Sequence, residues 1–321
     1  MRTRLLFVRF IALIFAISIF TSRSYSQSIT TNNNKWEIGL GLGPMFFLGD
    51  LGGSAGIGKP FILDLDMPMT KISKNIYVNY YVKEWLGFRV ALNHGVLEGD
   101  DAQAPSKGGA EMDRLERNLS FRTNIFEAYA AAEFYPTVFL EKFDGLMGKL
   151  RPYGIVGFGM FKFNPKAKLD GQWIALHPLR LEGEGMAEYP DRKPYSLTQR
   201  EIPMGFGFKY YLKENFYIGM EVLHRKLFTD YVDDVSKKYI DPVYFSNYLS
   251  PADAANARRL YYRGTYQGAP GAVQRPQDVL NYQRGDPTLN DAYFSTIIRF
   301  GWRLGGENSR ELKHLRCPTF F

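Results

Sequence analysis

The sequence predicts an all-β chain: an eight-stranded antiparallel transmembrane β-barrel with long extracellular loops and a short periplasmic C-terminal tail. Three observations predict it. The chain opens on an export leader, it then runs through segments in which apolar and polar side chains alternate, and the connections between those segments are short and long in turn. The aromatic content of 16%, with 25 Phe, 21 Tyr and 31 Gly, fits a barrel with interfacial rings, because beyond the leader no apolar stretch is long enough for a spanning helix.

Arg2, Arg4 and Arg9 precede the apolar run Ile11 to Phe20, and Ser24-Tyr25-Ser26 then offers small residues where a signal peptidase reads. The expected cut follows Ser26. The run falls short of the roughly 20 residues of a bilayer-spanning helix, and no cysteine lies near the cut to take a lipid. The expected organisation is a leader over 1–26, a barrel over 27–304 and a tail over 305–321. Of the formal net charge of +7, four units sit on Arg2, Arg4, Arg9 and Arg23 with no acid among them, leaving +3 on the mature chain. That mild charge, without a basic recognition motif, argues against a nucleic-acid partner.

The strands are read by period two, since successive strand side chains face opposite sides and a barrel wall has lipid on one and lumen on the other. Trp36, Ile38, Leu40 and Leu42 oppose Glu37, Gly39, Gly41 and Gly43. Ile76, Val78 and Tyr80 oppose Tyr77, Asn79 and Tyr81; Leu86, Phe88, Val90 and Leu92 oppose Gly87, Arg89, Ala91 and Asn93. Ser120 to Tyr135 and Arg151 to Phe163 have strand length with weaker alternation. Ile202, Met204, Phe206, Phe208 and Tyr210 oppose Glu201, Pro203, Gly205, Gly207, Lys209 and Tyr211; after the polar turn Lys213-Glu214-Asn215, Phe216, Ile218, Met220 and Val222 oppose Tyr217, Gly219, Glu221 and, past Leu223, Arg225. The last strand is the clearest: Phe294, Thr296, Ile298, Phe300, Trp302 and Leu304 on one face, Tyr293, Ser295, Ile297, Arg299, Gly301 and Arg303 on the other.

The turns at Val82 to Trp85 and Leu212 to Asn215 are tight and Pro136 to Leu150 is moderate, whereas 49–71, 96–119, 164–199 and 228–290 are long. Short periplasmic turns and long outer loops are the usual asymmetry of such barrels, and both termini then fall in the periplasm of an outer membrane. A soluble lipocalin-like barrel would have an apolar interior; here the predicted interior carries Glu37, Arg89, Glu127, Glu133, Lys209, Glu221, Arg225, Arg299 and Arg303. Charges so placed must pair, and eight strands leave room only for side chains, so a plugged lumen without an open pore is expected.

Signatures of catalysis are absent: no G-x-S-x-G elbow, no H-E-x-x-H helix and no Cys-x-x-Cys, so no enzyme activity, cofactor or small-molecule substrate is expected. His94 and His224 are the one pair that could meet at the outer rim, as in a lipid-modifying barrel. In Thr229 to Ser236, Asp230, Asp233 and Asp234 are candidate oxygen ligands for Ca²⁺, but without EF-hand spacing they read better as turn and cap residues. Cys317 is the only cysteine; an intermolecular disulfide and a hidden free thiol both remain open.

Four stretches resemble PorG-like outer-membrane proteins of Bacteroidetes: Leu48-Gly49-Asp50-Leu51-Gly52-Gly53, Arg151-Pro152-Tyr153-Gly154 through Phe163-Asn164-Pro165-Lys166-Ala167, Ile202-Pro203-Met204-Gly205-Phe206-Gly207, and Thr229 to Ser236. The segment Leu181-Glu182-Gly183-Glu184-Gly185 departs from the Thr-Glu-Gly-Gln-like run expected there. The resemblance implies a non-enzymatic accessory barrel of the type IX secretion and gliding machinery, partnered by outer-membrane lipid and by periplasmic ring components. The tail residues Arg310, Lys313, Arg316 and Cys317 are the candidate partner contacts. The competing expectation is a general structural or adhesive barrel that acts through its outer loops.

Overall fold

The computed structural model describes residues 35–51, 69–103, 111–139, 149–213, 215–264, 280 and 282–304. The expected leader and cleavage site, and the expected tail with Arg310, Lys313, Arg316 and Cys317, lie outside these residues.

Among the described residues ten strands form: β1 (Trp36–Leu48), β2 (Lys71–Lys83), β3 (Leu86–Asp100), β4 (Ser120–Phe134), β5 (Leu150–Lys162), β6 (Lys166–Leu169), β7 (Gln172–Ala175), β8 (Thr198–Lys213), β9 (Phe216–Leu227) and β10 (Ala292–Leu304). Eight of them pair antiparallel with their neighbours in the order β1-β2-β3-β4-β5-β8-β9-β10, and β10 pairs back with β1 from Trp36↔Leu304 to Leu48↔Ala292. The sheet therefore closes. Closure leaves no edge strand, so the wall's backbone groups bond strand to strand, which is what a wall in hydrocarbon requires.

Side chains along the wall alternate as the period-two reading expects. Exposed Ile38, Leu40, Ile76, Val78, Val90, Leu92, Phe206 and Ile298 point outward, while Glu37, Asn79, Arg89, Glu133, Lys209, Glu221 and Arg299 are buried within. A soluble barrel would reverse this polarity. At the end where the tight turns lie, aromatic side chains belt the wall: Trp36 against Tyr80 (4.8 Å between centroids), Trp85 against Phe134 (6.0 Å) and Phe216 against Trp302 (5.1 Å). Amphipathic rings of this kind settle at a membrane–water interface.

Three departures from the sequence reading have physical causes. β3 and β4 stay paired out to Asp100↔Ser120, so the connection expected over 96–119 is shorter than its sequence pattern implies. Above the apolar band the outward face no longer meets lipid, and the strict contrast that marked the strand lapses. In β1 alternation fails at Met45 and Phe46, which are both buried, because the loops pack around the rim there. The β6–β7 hairpin lies within the long 164–199 connection and joins the wall through Arg122↔Lys166; its strands of four residues are too short for a period to show.

The loops on the far side from the tight turns fold over the barrel mouth. Loop residues Leu51, Leu176, Leu181, Val232, Ile240 and Phe245 share one apolar core with Met45, Ile125, Phe161 and Tyr293 of the wall. Among the described residues of these loops lie the α-helices α1 (Glu111–Arg117), α2 (Phe245–Tyr248) and α3 (Pro251–Tyr261). α3 starts where the Ser250 side chain accepts from the Asp253 N–H, with Pro251 at its first position, and it buries Ala254, Ala257, Leu260 and Tyr261 on one face.

Candidate functional site: the filled lumen and its cap

The inward face of the lower barrel carries a connected set of charges. Arg89 lies between Glu133, with which it forms an ion pair, and Glu221 (2.6 Å), and Arg299 reaches the other oxygen of Glu221 at 2.8 Å. Lys209 bonds Glu37 at 2.8 Å and Glu133 at 3.3 Å, and Arg225 bonds Glu127 at 3.2 Å. All of these side chains are essentially solvent-free. Removing a charge from water costs more than a single contact restores, so such residues persist only with several partners each. They have them: Tyr153 donates to Glu221, Asn79 to Glu37 and Glu133, Tyr217 to Glu37, and Asn93 to Glu127. Arg303 donates to the Tyr211 hydroxyl at 2.5 Å and lies 4.4 Å from the centre of that ring.

All nine charges expected in the interior are buried there: Arg89, Glu133, Glu221, Arg299, Lys209 and Glu37 form one ion-paired set, Arg225 and Glu127 pair with each other, and Arg303 is held by Tyr211. The reading missed Arg151, left Glu201 out of the interior charges although it placed it on the face of Lys209, and missed the tyrosines as structural partners; both charges are buried. Tyr77, Tyr81, Tyr129, Tyr135, Tyr153, Tyr211, Tyr217 and Tyr293 all face inward, and Glu201 accepts from Tyr293 at 2.6 Å. Their parity was the available signal: Tyr153 is two residues from Arg151, Tyr211 two from Lys209 and Tyr81 two from Asn79. Glycine makes room for the rings. A Cβ on Gly39 would collide with the Tyr77 ring, and one on Gly301 with Tyr217.

Above the charges the cross-section is filled by apolar side chains, and above these the loops are tied by buried polar groups. Glu182, fully buried, accepts from the Ser236 and Lys237 backbone N–H groups, each at 2.9 Å, and from the Arg284 guanidinium at 2.9 Å. Arg192 donates to the Glu182 and Lys238 carbonyls, and Arg117 binds Asp101 and the Asp50 carbonyl. The segment Leu181 to Gly185 is thus the knot that joins two loops. Gly183 and Gly185 sit in the left-handed region at φ 80° and 73°.

The three carboxylates of Thr229 to Ser236 do not converge on one point. Asp233 accepts from the Leu51 N–H (3.2 Å) and from Val235 N–H (2.9 Å), tying the first loop to the last, whereas Asp234 accepts from the Tyr195 hydroxyl (2.5 Å). Among the described residues no group of three or more Asp, Glu, His or Cys side chains is placed to hold a metal ion. Burial pushes Asp230 up to about 8, and burial beside Asp50 and Asp230 raises Asp233 well above the usual carboxylate range. Burial, then Asp234 and Glu182, pushes Glu184 up to about 8, and burial opposed by Arg284 leaves Asp234 at about 7.

His94 and His224, the one pair that could have met at the rim, do not meet. They point outward from β3 and β9, which stand four strands apart in a closed ring of eight and so on opposite sides of the barrel. His94 packs on Phe126 of the neighbouring strand at 4.5 Å. A lipid-modifying site built on that pair is therefore ruled out by the topology.

A closed eight-stranded wall, apolar outside and charged within, defines a membrane-spanning β-barrel with a filled interior. No protein-family model matches the chain, and no curated protein matches it by sequence. Among solved structures it is similar to the attachment invasion locus protein Ail of Yersinia pestis, with 10% identity, 84% of this chain and 99% of that one covered, and a TM-score of 0.36. It is similar also to the outer membrane protein OprG of Pseudomonas aeruginosa (11% identity, 87% and 100% covered, TM-score 0.37) and to Outer Membrane Protein W of E. coli (10%, 86% and 100%, TM-score 0.32). At such scores the class rests on the chain's own strand register and polarity.

Proposed function

We propose that the chain is a non-enzymatic outer-membrane barrel that serves as an accessory component of type IX secretion and gliding, docking a periplasmic ring complex. The observation that carries the non-conducting, non-enzymatic part is the lumen: Arg89, Lys209, Arg225 and Arg299 are held on four carboxylates across the bore, so that charged side chains occupy the inside of the wall among the described residues. A barrel filled in this way acts through its two ends. The secretion role is supported by the resemblance of four separate stretches to PorG-like proteins. In this reading the end with the tight turns, where β1 begins and β10 ends, faces the periplasm and the ring, while the folded loops face outward.

Affinity purification of a tagged copy from native membranes is the test. Periplasmic ring proteins should come with the full chain and be depleted when Glu307 to Phe321 is deleted, while the truncated chain still migrates as a heat-modifiable barrel. Purification without ring proteins would overturn the secretion role, and single-channel conductance in a planar bilayer would overturn the sealed lumen. A second reading is adhesion through the loops, on which Tyr282 and Leu289 are exposed. It predicts that replacing both by serine abolishes surface attachment and spares secretion.

A further inference from the structure

On the outside of the barrel, at the loop end of the wall, a recess of about 520 Å³ opens between β4, β5 and the β6–β7 hairpin. Its floor is the place where the apolar band stops. Along the outward face of β4, Ala132, Ala130, Ala128 and Phe126 give way to Asn124 and Arg122; along β5, Val156, Phe158 and Met160 give way to Lys162. Phe126 is 58% exposed and stands at the lower lip, and Lys162, Lys166 and Arg122 stand above it. Trp173, 46% exposed on the hairpin, forms the upper wall and lies 5.5 Å from the Arg122 guanidinium.

The charges are one-sided. Arg122 is shared with Glu98 at 3.2 Å, but among the described residues no carboxylate lies within ion-pair distance of Lys162 or Lys166. Exposed bases recur at this level on other strands, as Lys74, Arg200 and Lys226, but none of these lines the recess. Cations just beyond a hydrocarbon boundary bind anionic headgroups, and a tryptophan at that depth offers a face for a sugar and an N–H for its oxygens.

We infer that this recess binds a phosphorylated glycolipid of the membrane leaflet on the loop side. Its phosphate sits on Lys162 and Lys166, its sugar lies between Asn124 and Trp173, and an acyl chain runs down over Phe126 and Met160. Charge complementarity selects a phosphate, the polar ledge and the indole select a sugar over a simple glycerol headgroup, and the apolar lip selects a lipid over a free anion. The inference rests on the reading that the wall spans a membrane with the loops outward.

The test uses the full mature chain refolded in detergent, with binding read by native mass spectrometry against titrated lipid. The probes are bis-phosphorylated lipid A, the same lipid with both phosphates removed, and phosphatidylglycerol. Lipid A should bind at least tenfold more tightly than either of the others. Lys162→Ala with Lys166→Ala should lose that margin, as should Trp173→Ala in part, while Lys74→Ala with Lys226→Ala on other strands keeps it. Each variant is first shown to migrate as a heat-modifiable barrel; all the replaced side chains lie outside the folded core. Equal binding of the dephosphorylated lipid or of phosphatidylglycerol overturns the inference, and so does undiminished binding by the double lysine variant. Failure of the unaltered chain to insert as a barrel overturns the membrane reading and this inference with it, whereas insertion without lipid A preference overturns this inference alone.

Discussion

Below the level of Arg225 the lumen is held by ion pairs and tyrosine hydroxyls; above it, the same lumen and the loops are held by an apolar core. The lower part contains Tyr77, Tyr81, Tyr135, Tyr153, Tyr211 and Tyr217 around Glu37, Glu133, Lys209 and Arg89, so almost every side chain there has both a charge and a ring beside it. The upper part contains Met45, Ile125, Phe161, Phe163 and Leu227 packed under Leu181, Val232 and Ile240. The difference follows from what each part must do. The lower lumen lies within the apolar belt and has to fix eight strands in one register, which directional bonds do well. The upper part has to cap a mouth with loops of unrelated sequence, which non-directional burial does well.

The largest expected effect comes from unbalancing the ionic part. Glu221 serves Arg89, Arg299 and Tyr153 together. Glu221→Leu leaves two buried guanidinium groups short of a partner, and breaking a buried pair from one side costs about 3–5 kcal/mol. Urea titration followed by heat-modifiable gel migration should show a large drop in the folding midpoint. A variant as stable as the parent would mean that water, not charge pairing, fills the lower lumen.

The matching change above is Phe161→Ala, which removes a fully buried ring that packs on Phe163 (5.4 Å) and Tyr293 (6.0 Å). Phe→Ala in a core costs about 3–5 kcal/mol, and part of this should fall on the loops alone. Proteolysis should then cut the loops at a lower urea concentration than that which unfolds the wall. Simultaneous loss of both would show that wall and cap form one cooperative unit. A smaller effect is expected at Gly39, where a valine side chain would meet the Tyr77 ring. Overpacking typically costs about 1–3 kcal/mol, and Tyr77→Ala introduced beside it should recover part of the loss in the same titration.

What could be read from the chain divides along the same line. Wall and lumen were legible because both obey a period of two: Arg299 and Arg303, or Glu221 and Arg225, fall on one face by counting alone. Arg151 was passed over because Pro152 and Gly154 blur the contrast around it. The cap was not legible. Glu182 meets Ser236, Lys237 and Arg284 across large sequence separations with no repeat to announce it, and Asp233 finds its partner at Leu51. Whether His94 and His224 could meet was not legible for a related reason. Both lie at the rim in sequence terms, but only closure of the barrel decides which strands face each other.

The smallest effect expected is a pH dependence confined to the cap. Folding raises Asp230 and Glu184 to about 8 and Asp234 to about 7, from ordinary carboxylate values of 3.8 for Asp and 4.5 for Glu, with burial as the leading cause in each case. Between these limits the folded cap holds protons that the unfolded loops release, so the unfolded state binds fewer protons and stability falls as pH rises. The cap should be most stable below about pH 4 on this account and should loosen progressively through the window from 4 to 8. Amide hydrogen exchange, corrected for the intrinsic rate, should report weaker protection of 181–185 and 230–235 at pH 8 than at pH 5, with strands β1 and β10 unchanged. Glu184→Gln removes one titrating group and keeps its shape, so the difference between the two pH values should shrink. Protection that stays constant or grows toward pH 8 would mean that these carboxylates are charged and partnered in the folded cap, and that the cap is ionic like the lumen beneath it.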